Sequence, residues 1–314
     1  MAQVSDKKIG LVLSGGGAKG AYEIGVWRAL EVLEVTDLID GIIGTSVGAL
    51  NAVLLDTCGL QKAAEVWENL KQSDLLHLNP EKSYKTGETT ISPMNKADYP
   101  RLSSRDPERQ RMLDFYRKLS AVQSEVPQEM LLDLATSAVH SGLALTQEKL
   151  NDLIVQNIRF DEQKRSLYAV CTESRSPWNT TVFNLADYTP DERRRIILAS
   201  SAIPVVYEGT DGVRIRGKGY LDGGMRANTP YKEMYALGWR NIISVWLDHK
   251  AKPEPLPPDA EQIHILPPYS LGGHFGTIWV NRSKKMFDQM RGYYDTMQKR
   301  IEILEMAKKI RNMK

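Results

Sequence analysis

The chain has 314 residues, of which 42% are hydrophobic and 25% are charged, and this composition is typical of a folded globular protein. Its formal net charge of +2 is too small to indicate a nucleic-acid partner. The two cysteines form no disulfide or metal-binding pattern. We therefore expect free thiols and no metal site.

The apolar segments are too short for a protein that spans a membrane. No stretch approaches the roughly 18 apolar residues that a transmembrane helix needs. The N-terminus, MAQVSDKKIG, is polar, and the apolar run after it is too short for a secretion signal. We expect a cytoplasmic protein whose membrane contact, where it has one, is peripheral. The sequence contains no signal for an oligomeric state.

The first predicted elements form a strand, helix, strand unit. The apolar run at residues 9–13 stops at a serine and three glycines and predicts a buried strand. Apolar residues then recur near helical spacing over residues 18–33, and residues 40–43 restart a strand. A second helix is predicted to begin at Val47. Because such a unit usually joins parallel strands through a right-handed crossover, the sequence predicts the start of a parallel α/β sheet.

The middle of the chain contains a segment of different character. Prolines and clustered charges replace aliphatic residues between about residues 79 and 125, and we interpret this segment as an insertion, either a lid or a surface excursion. Strand and helix patterns resume after it, so we predict one α/β domain over residues 1–314. Strands are predicted at residues 166–171, 180–185 and 242–247, and helices near 191–199 and 230–237.

The C-terminal segment predicts one long helix over residues 280–314, which contain no proline and one glycine. Ten basic and four acidic residues lie between Arg282 and Lys314. Such a helix can lie on anionic lipid, or its apolar side can pack on the sheet while its charges face water. We favour the second arrangement. The apolar residues at helical spacing are Met286, Met290, Tyr293, Met297, Ile301 and Leu304.

A G-x-S-x-G motif, from Gly44 to Gly48 with Ser46 at its centre, lies between a predicted strand and a predicted helix. A sharp turn in this setting holds a serine in a strained backbone conformation with its hydroxyl exposed, and the two glycines let neighbouring chains pass closely. The start of the following helix places partial positive charge near a developing anion. The motif predicts Ser46 as a nucleophile, and the alternative is a serine that caps the helix.

Three successive glycines, Gly15, Gly16 and Gly17, follow the first predicted strand. Their N–H groups can face a ligand at close range, as an oxyanion hole requires. Gly15, Gly17 and Gly20 also satisfy the dinucleotide pattern G-x-G-x-x-G. That pattern needs an acidic residue at the end of the second strand, whereas Asp40 lies at its beginning. A nucleotide-binding or nucleotide-regulated protein stays as the alternative function.

Asp222 is the candidate base. It is followed by Gly223 and Gly224, a pattern ordinarily found in turns. A serine hydroxyl near neutral pH nevertheless needs a base within hydrogen-bonding reach, and a carboxylate can serve if it stays ionised. Asn228 and Pro230 complete this block of sequence.

The motifs together resemble a known family. SGGGAKG, GTSVG, LASSAIPVVY and DGG with Asn228 and Pro230 follow one another as in bacterial members of the patatin-like phospholipase family. The resemblance implies a three-layer α/β/α fold with a mainly parallel central sheet. It also implies a serine acyl hydrolase that acts on lipid acyl esters with a Ser–Asp dyad and needs no metal or organic cofactor.

The resemblance also implies a role for individual residues. Ser46 corresponds to the nucleophile, Asp222 to its base, and residues 15–17 to the oxyanion donors, while the neighbouring glycines at positions 44, 48, 223 and 224 support the site. Lys19 stands where arginine is common in the family, which preserves the charge but loses a planar bidentate donor.

Histidines after Asp222 allow a triad as the alternative catalytic arrangement. His249, His264 and His274 complete the chain order Ser, Asp, His. The glycine loop precedes Ser46 by about 30 residues, as in the dyad family, and this position favours the dyad. His249, beside Asp248, is the histidine we expect nearest the site, and the other two are expected to be structural or solvated.

Overall fold

The structure is a computed structural model that describes residues 5–71, 74, 77–78, 145–175, 177–203, 211–272 and 280–313. The insertion predicted at residues 79–125 lies outside the described residues, as does His274.

The predicted N-terminal unit of strand, helix and strand is confirmed. The first strand ends where Ser14 and the three glycines interrupt its apolar run, and a 3-10 turn at Gly17–Gly20 leads into the helix. The elements are β1 at Ser5–Leu13, α1 at Ala21–Val32, β2 at Ile39–Thr45 and α2 at Val47–Asn69.

The rest of the described chain continues the alternation of strands and helices. The strands are β3 at His77–Leu78, β4 at Leu145–Thr146, β5 at Ser166–Glu173, β6 at Thr180–Asn184, β7 at Val213–Ile215, β8 at Lys218–Asp222, β9 at Trp239–Val245 and β10 at Glu261–Ile265. The helices are α3 at Glu148–Asn157, α4 at Pro190–Ser200, α5 at Tyr231–Ala236, α6 at Arg282–Gln298 and α7 at Arg300–Asn312. Within the described ranges, no helix has the length and apolar character needed to cross a bilayer.

The central sheet is parallel over most of its width. Its strand order is β10, β9, β1, β2, β5, β8, β7, and β6 also pairs with β5. The strands from β10 to β5 pair in parallel, whereas β6, β7 and β8 join in antiparallel fashion. Since parallel strands end at the same edge of a sheet, the loops after β1, β2 and β9 lie close together.

Strand β5 pairs with two different strands along one of its edges. β2 pairs with it as far as Thr45, which lies opposite Val170. From the next residue of β5 onward, β8 pairs along this same edge, and Asp222 lies opposite Cys171. The other edge of β5 is not available to β8 because β6 occupies it over residues 168–172. The carboxyl ends of β2 and β8 therefore meet.

Alternate residues of the central strands enter two apolar cores. Leu11 and Leu13 on β1 belong to a core with α1, α2, α4 and α7, whereas Val12 belongs to a second core with Tyr231 and Met234 of α5. The sheet thus lies between two helical layers, which confirms the predicted three-layer α/β/α fold with a mainly parallel sheet.

The prediction of one C-terminal helix packed on the sheet is wrong in two respects. The helix is interrupted at Lys299, which separates α6 from α7. α7 packs in the expected way and contacts β1 and β10. α6 instead packs on α1 and leaves Met286 and Met290 exposed. Its buried residues are Lys285, Asp288, Gln289, Gly292 and Thr296.

Close contact between two helix backbones explains the unusual packing of α6. A Cβ atom at Gly25 of α1 would overlap the carbonyl oxygen of Gln289, and one at Gly292 would overlap that of Tyr22. The Tyr22 hydroxyl also donates a 2.8 Å hydrogen bond to Asp295. Glycine contacts and polar bonds therefore hold α6 in place against α1.

The variant Gly292→Ala tests the helix crossing. The added methyl group would force the α1 and α6 backbones apart, and such overpacking typically costs about 1–3 kcal/mol of unfolding free energy. The measurement is urea unfolding followed by circular dichroism, with Ser283→Ala on the exposed side of α6 as the matched control. Equal midpoints for wild type and Gly292→Ala would contradict the close crossing.

Candidate active site

Ser46 occupies a strained turn between β2 and α2. Its φ of 54° and ψ of −123° place a residue with a side chain in a region that favours glycine. The turn is tight because Gly44 and Gly48 lie against neighbouring backbone. A Cβ at Gly44 would overlap the backbone of Gly48, and one at Gly48 would overlap the Leu13 carbonyl. This strained strand-to-helix turn, called the elbow below, is the turn conformation that the motif predicted.

A second serine holds the elbow. The Ser46 N–H donates a 2.8 Å hydrogen bond to the Ser200 hydroxyl, which donates a 2.7 Å bond to the Val170 carbonyl. Ser200 is fully buried at the end of α4. The sequence LASSAIP had contributed to the resemblance, but no role had followed for Ser200. A hydrogen bond to a backbone amide so distant in sequence leaves no local pattern to find.

Asp222 lies at the end of β8 beside Ser46. Its carboxylate accepts a 2.7 Å hydrogen bond from the Gly224 N–H, and the Ser46 side chain lies near enough to act on its pKa. Burial raises the pKa of Asp222 to about 7, although the Gly224 amide and the Ser46 hydroxyl act in the opposite direction. The group can therefore both accept and release a proton near neutral pH.

The glycine loop leaves two of its three predicted donors free. The Gly15 N–H already donates a 2.9 Å hydrogen bond to the Asn228 carbonyl, and the Asn228 amide donates back to the Gly15 carbonyl at 3.2 Å. In the part of the chain that the structure describes, nothing accepts a hydrogen bond from the N–H of Gly16 or Gly17. Gly15 anchors the loop, and Gly16 and Gly17 carry the available amides.

Buried hydroxyl groups connect the loops around the site. Ser14 donates a 2.6 Å hydrogen bond to the Val245 carbonyl at the end of β9 and lies 2.7 Å from the Thr229 hydroxyl. Thr45 donates a 2.8 Å bond to the Ala227 carbonyl. The segment after Asp222 is thereby fixed to the ends of β1, β2 and β9.

A buried carboxyl supports the far end of the glycine loop. Asn51 on α2 donates hydrogen bonds to Glu23 of α1 at 2.8 Å and to the Gly20 carbonyl at 3.0 Å. The Trp67 indole completes the set by donating to Asn51 at 2.8 Å. Burial raises the pKa of Glu23 to about 8, so this carboxyl is mostly neutral at pH 7. Sequence reasoning had not identified this group.

Lys19 lies in the 3-10 turn that follows the glycine loop. Burial lowers the pKa of its ammonium group, while the negative charges of Asp248 and Asp288 act in the opposite direction. The cation therefore lies between the end of the sheet and helix α6.

His249 and His264 contact polar groups other than Ser46 and Asp222. His249 Nδ1 lies 3.6 Å from a carboxylate oxygen of Asp248, and His264 Nδ1 lies 2.6 Å from the Ser244 hydroxyl. Over the described ranges, neither Ser46 nor Asp222 has a hydrogen bond to a histidine. No cluster of three or more potential metal ligands occurs among the described residues, and both cysteines are free.

The alternative function, nucleotide binding, requires an acidic residue at the end of β2. The strand ends at Gly44 and Thr45, and Asp40 lies exposed near its start. Among the described residues, the end of β2 therefore carries no acidic side chain of the kind that holds a dinucleotide ribose.

The fold and the strained serine define an α/β protein with a sharp turn between a strand and a helix at Ser46. A family model described as "Patatin-like phospholipase" matches residues 11–235, more than half of the chain. The chain therefore belongs to the patatin-like phospholipase family, a family of lipid hydrolases. No curated protein sequence matches it.

Several solved structures are similar to this chain, and one of them, with a TM-score above 0.5, shows the same fold. The crystal structure of VipD from Legionella pneumophila aligns with a TM-score of 0.51 at 16% identity, over 94% of this chain and 67% of VipD. The type III effector ExoU aligns with a TM-score of 0.40 at 17% identity, over 96% of this chain and 53% of ExoU. A structure of ExoU with SpcU from Pseudomonas aeruginosa gives the same TM-score and identity. The chain spans about half the length of ExoU.

The variant Ser200→Ala tests how the elbow is held. Loss of the hydroxyl leaves the Ser46 N–H without its acceptor, and small displacements of a reacting group can cost up to about 100-fold in rate. We expect Ser46 to react about 10- to 100-fold more slowly with a fluorophosphonate, at unchanged circular dichroism. Ser201→Ala, one residue further along, is the control and should react like wild type. Equal labelling of all three proteins would contradict a role for Ser200.

Proposed function

We propose that the protein hydrolyses acyl esters of lipids through a Ser46–Asp222 dyad. The meeting of the ends of β2 and β8 on β5, which brings Ser46 beside Asp222, is the observation that carries the proposal. The strained Ser46 backbone and the two free amides of Gly16 and Gly17 support it. Family membership supports a lipid as the substrate.

Acylation begins when Ser46 Oγ attacks the ester carbonyl carbon and its proton moves to Asp222. The carbonyl oxygen becomes an oxyanion, which the N–H groups of Gly16 and Gly17 stabilise. The intermediate then collapses, the bond to the alcohol breaks, and the departing oxygen takes the proton from Asp222. The product is an acyl ester on Ser46 and a free alcohol such as a lysophospholipid.

Deacylation repeats these steps with water. Asp222 accepts a proton from the water that attacks the acyl carbon, and the same two amides stabilise the second oxyanion. Collapse releases the fatty acid and returns the proton to Ser46 Oγ. One carboxyl can act both as the base that accepts a proton and as the acid that returns it, because its pKa of about 7 is close to the working pH.

Hydrolysis of lipid vesicles tests the dyad. Wild type should release fatty acid from mixed phospholipid and lysophospholipid vesicles. Ser46→Ala should reduce release to background, and Asp222→Asn should lower kcat by about 10²- to 10⁴-fold, the usual contribution of a general base. Fluorophosphonate labelling should be absent in Ser46→Ala and slowed in Asp222→Asn.

The control for this experiment is Asp40→Asn, which removes an exposed carboxylate from the opposite end of β2. It should match wild type in both assays. Undiminished release by Ser46→Ala would exclude Ser46 as nucleophile, and normal labelling of Asp222→Asn would exclude Asp222 as its base.

The pH dependence of kcat/KM provides an independent test. Asp222 accepts a proton only when ionised, and its ionised fraction rises with pH through a pKa of about 7. The rate on a soluble ester should therefore rise with pH, inflect near 7, and fall roughly tenfold per unit below about pH 6. Glu23→Gln removes another carboxyl whose pKa burial raises, to about 8, and should keep the inflection. A flat profile between pH 5.5 and 8.5 would contradict this assignment.

A further inference from the structure

Helix α6 presents an apolar face to solvent. Four of its side chains are more than half exposed, at 52% for Met286, 53% for Met290, 56% for Phe287 and 59% for Tyr294. Tyr269, which precedes the helix, is 75% exposed. Arg291 joins the two parts, because its guanidinium donates a 2.8 Å hydrogen bond to the Tyr269 carbonyl. We name the five exposed side chains the α6 patch: Tyr269, Met286, Phe287, Met290 and Tyr294.

Cationic side chains border the α6 patch. The Arg291 guanidinium lies 5.7 Å from the centre of the Phe287 ring, and Arg282 is exposed at the start of the helix. The acidic residues of α6 point away from the patch, since Asp288 is buried and Asp295 accepts a hydrogen bond from α1. Within α6, whose residues are all described, no acidic side chain is exposed. This pattern of charge is complementary to an anionic surface.

Helix α6 also contacts the candidate active site through its buried side. The 3-10 turn Gly17–Gly20 contacts α6, and the charges of Lys284 and Asp288 act on Lys19 in that turn. The turn also carries the free amide of Gly17. Helix α6 therefore connects the patch on its exposed side to the turn on its buried side.

The area of the α6 patch is smaller than the area that a stable interface with a second copy of the chain needs. Its three aromatic side chains cover 150–250 Å² each, so these half-exposed rings and the two methionines together present roughly 500 Å². A stable protein interface needs about 800 Å² from each partner. A bilayer needs no such complementary surface, and tyrosine, phenylalanine and basic residues are favoured at its interface.

We infer that the α6 patch docks the protein on anionic lipid bilayers. Phe287 and Met290 enter the boundary between headgroups and acyl chains, and Arg282 and Arg291 lie among the anionic headgroups. The inference rests on the proposed function, because an enzyme that cleaves lipid esters must reach a lipid surface. Docking itself needs no hydrolysis, so the two proposals can fail separately.

Vesicle flotation of the full chain tests docking. All proteins carry Ser46→Ala, which keeps the lipid intact, and the vesicles contain either phosphatidylcholine alone or phosphatidylcholine with 30% phosphatidylglycerol. Phe287→Gln with Met290→Gln should weaken binding to the anionic vesicles by at least about tenfold. The control, Val32→Gln with Val155→Gln, removes two equally exposed apolar side chains, at 58% and 61%, from other helices. It should bind within about twofold of the parent protein.

Three outcomes would overturn the inference. In the first, the parent fails to float with anionic vesicles. In the second, the patch variant floats as well as its control. In the third, sedimentation equilibrium finds a dimer that the patch variant loses while its vesicle binding is unchanged, which assigns the face to a second copy.

With Ser46 restored, the patch variant should hydrolyse a soluble short-chain ester at the wild-type rate and vesicle lipid at a reduced rate. Vesicle binding that depends on the patch in a protein without esterase activity would uphold docking and reject the hydrolase. Equal loss on the soluble ester and on vesicles would reject docking as the reason for the effect.

Discussion

The shared edge of strand β5 is the constraint on which the candidate site depends. β2 occupies this edge as far as Val170, and β8 occupies it from Cys171. Two strands that approach from opposite directions must end where they meet, and Ser46 and Asp222 are the residues at these ends. A displacement of one residue in either register would separate the side chains or turn one of them to the other face of the sheet. The backbone pairing of β5 therefore sets the geometry of the proposed dyad.

Burial of the proposed base reduces stability. The raised pKa of Asp222 means that the folded protein holds this proton more tightly than the unfolded chain does. The tighter binding of this proton stabilises the fold fully below about pH 4, and the stabilisation is lost as the pH rises toward 7. The strained Ser46 backbone adds a second cost of about 1–3 kcal/mol. The hydrogen bonds of Ser14, Thr45 and Ser200 to distant backbone groups oppose both effects.

Local sequence patterns predicted the strands and helices whose apolar periodicity and ends can be seen in their own residues. The runs that became β1, α1 and β2 have clear apolar periodicity and glycine boundaries, so their order and type followed from the sequence. β10 was missed because Glu261–Ile265 mixes polar and apolar residues, and its pairing with β9 stabilises it as a strand. The candidate nucleophile and base came from motifs and family resemblance. The use of the Gly15 amide by Asn228 and the role of Ser200 depend on tertiary hydrogen bonds that no local pattern encodes.

The packing of α6 reverses the ordinary relation between hydrophobicity and tolerance to change. In most helices the apolar positions are constrained by the core and the polar ones vary freely. In α6 the constrained positions are glycine, threonine and buried polar residues, while the large apolar residues contact solvent. Redesign that makes this surface more hydrophilic would preserve the fold and remove the feature that sets α6 apart. A comparison of related sequences that assigns apolar positions to the core would likewise assign the wrong face of this helix to the interior.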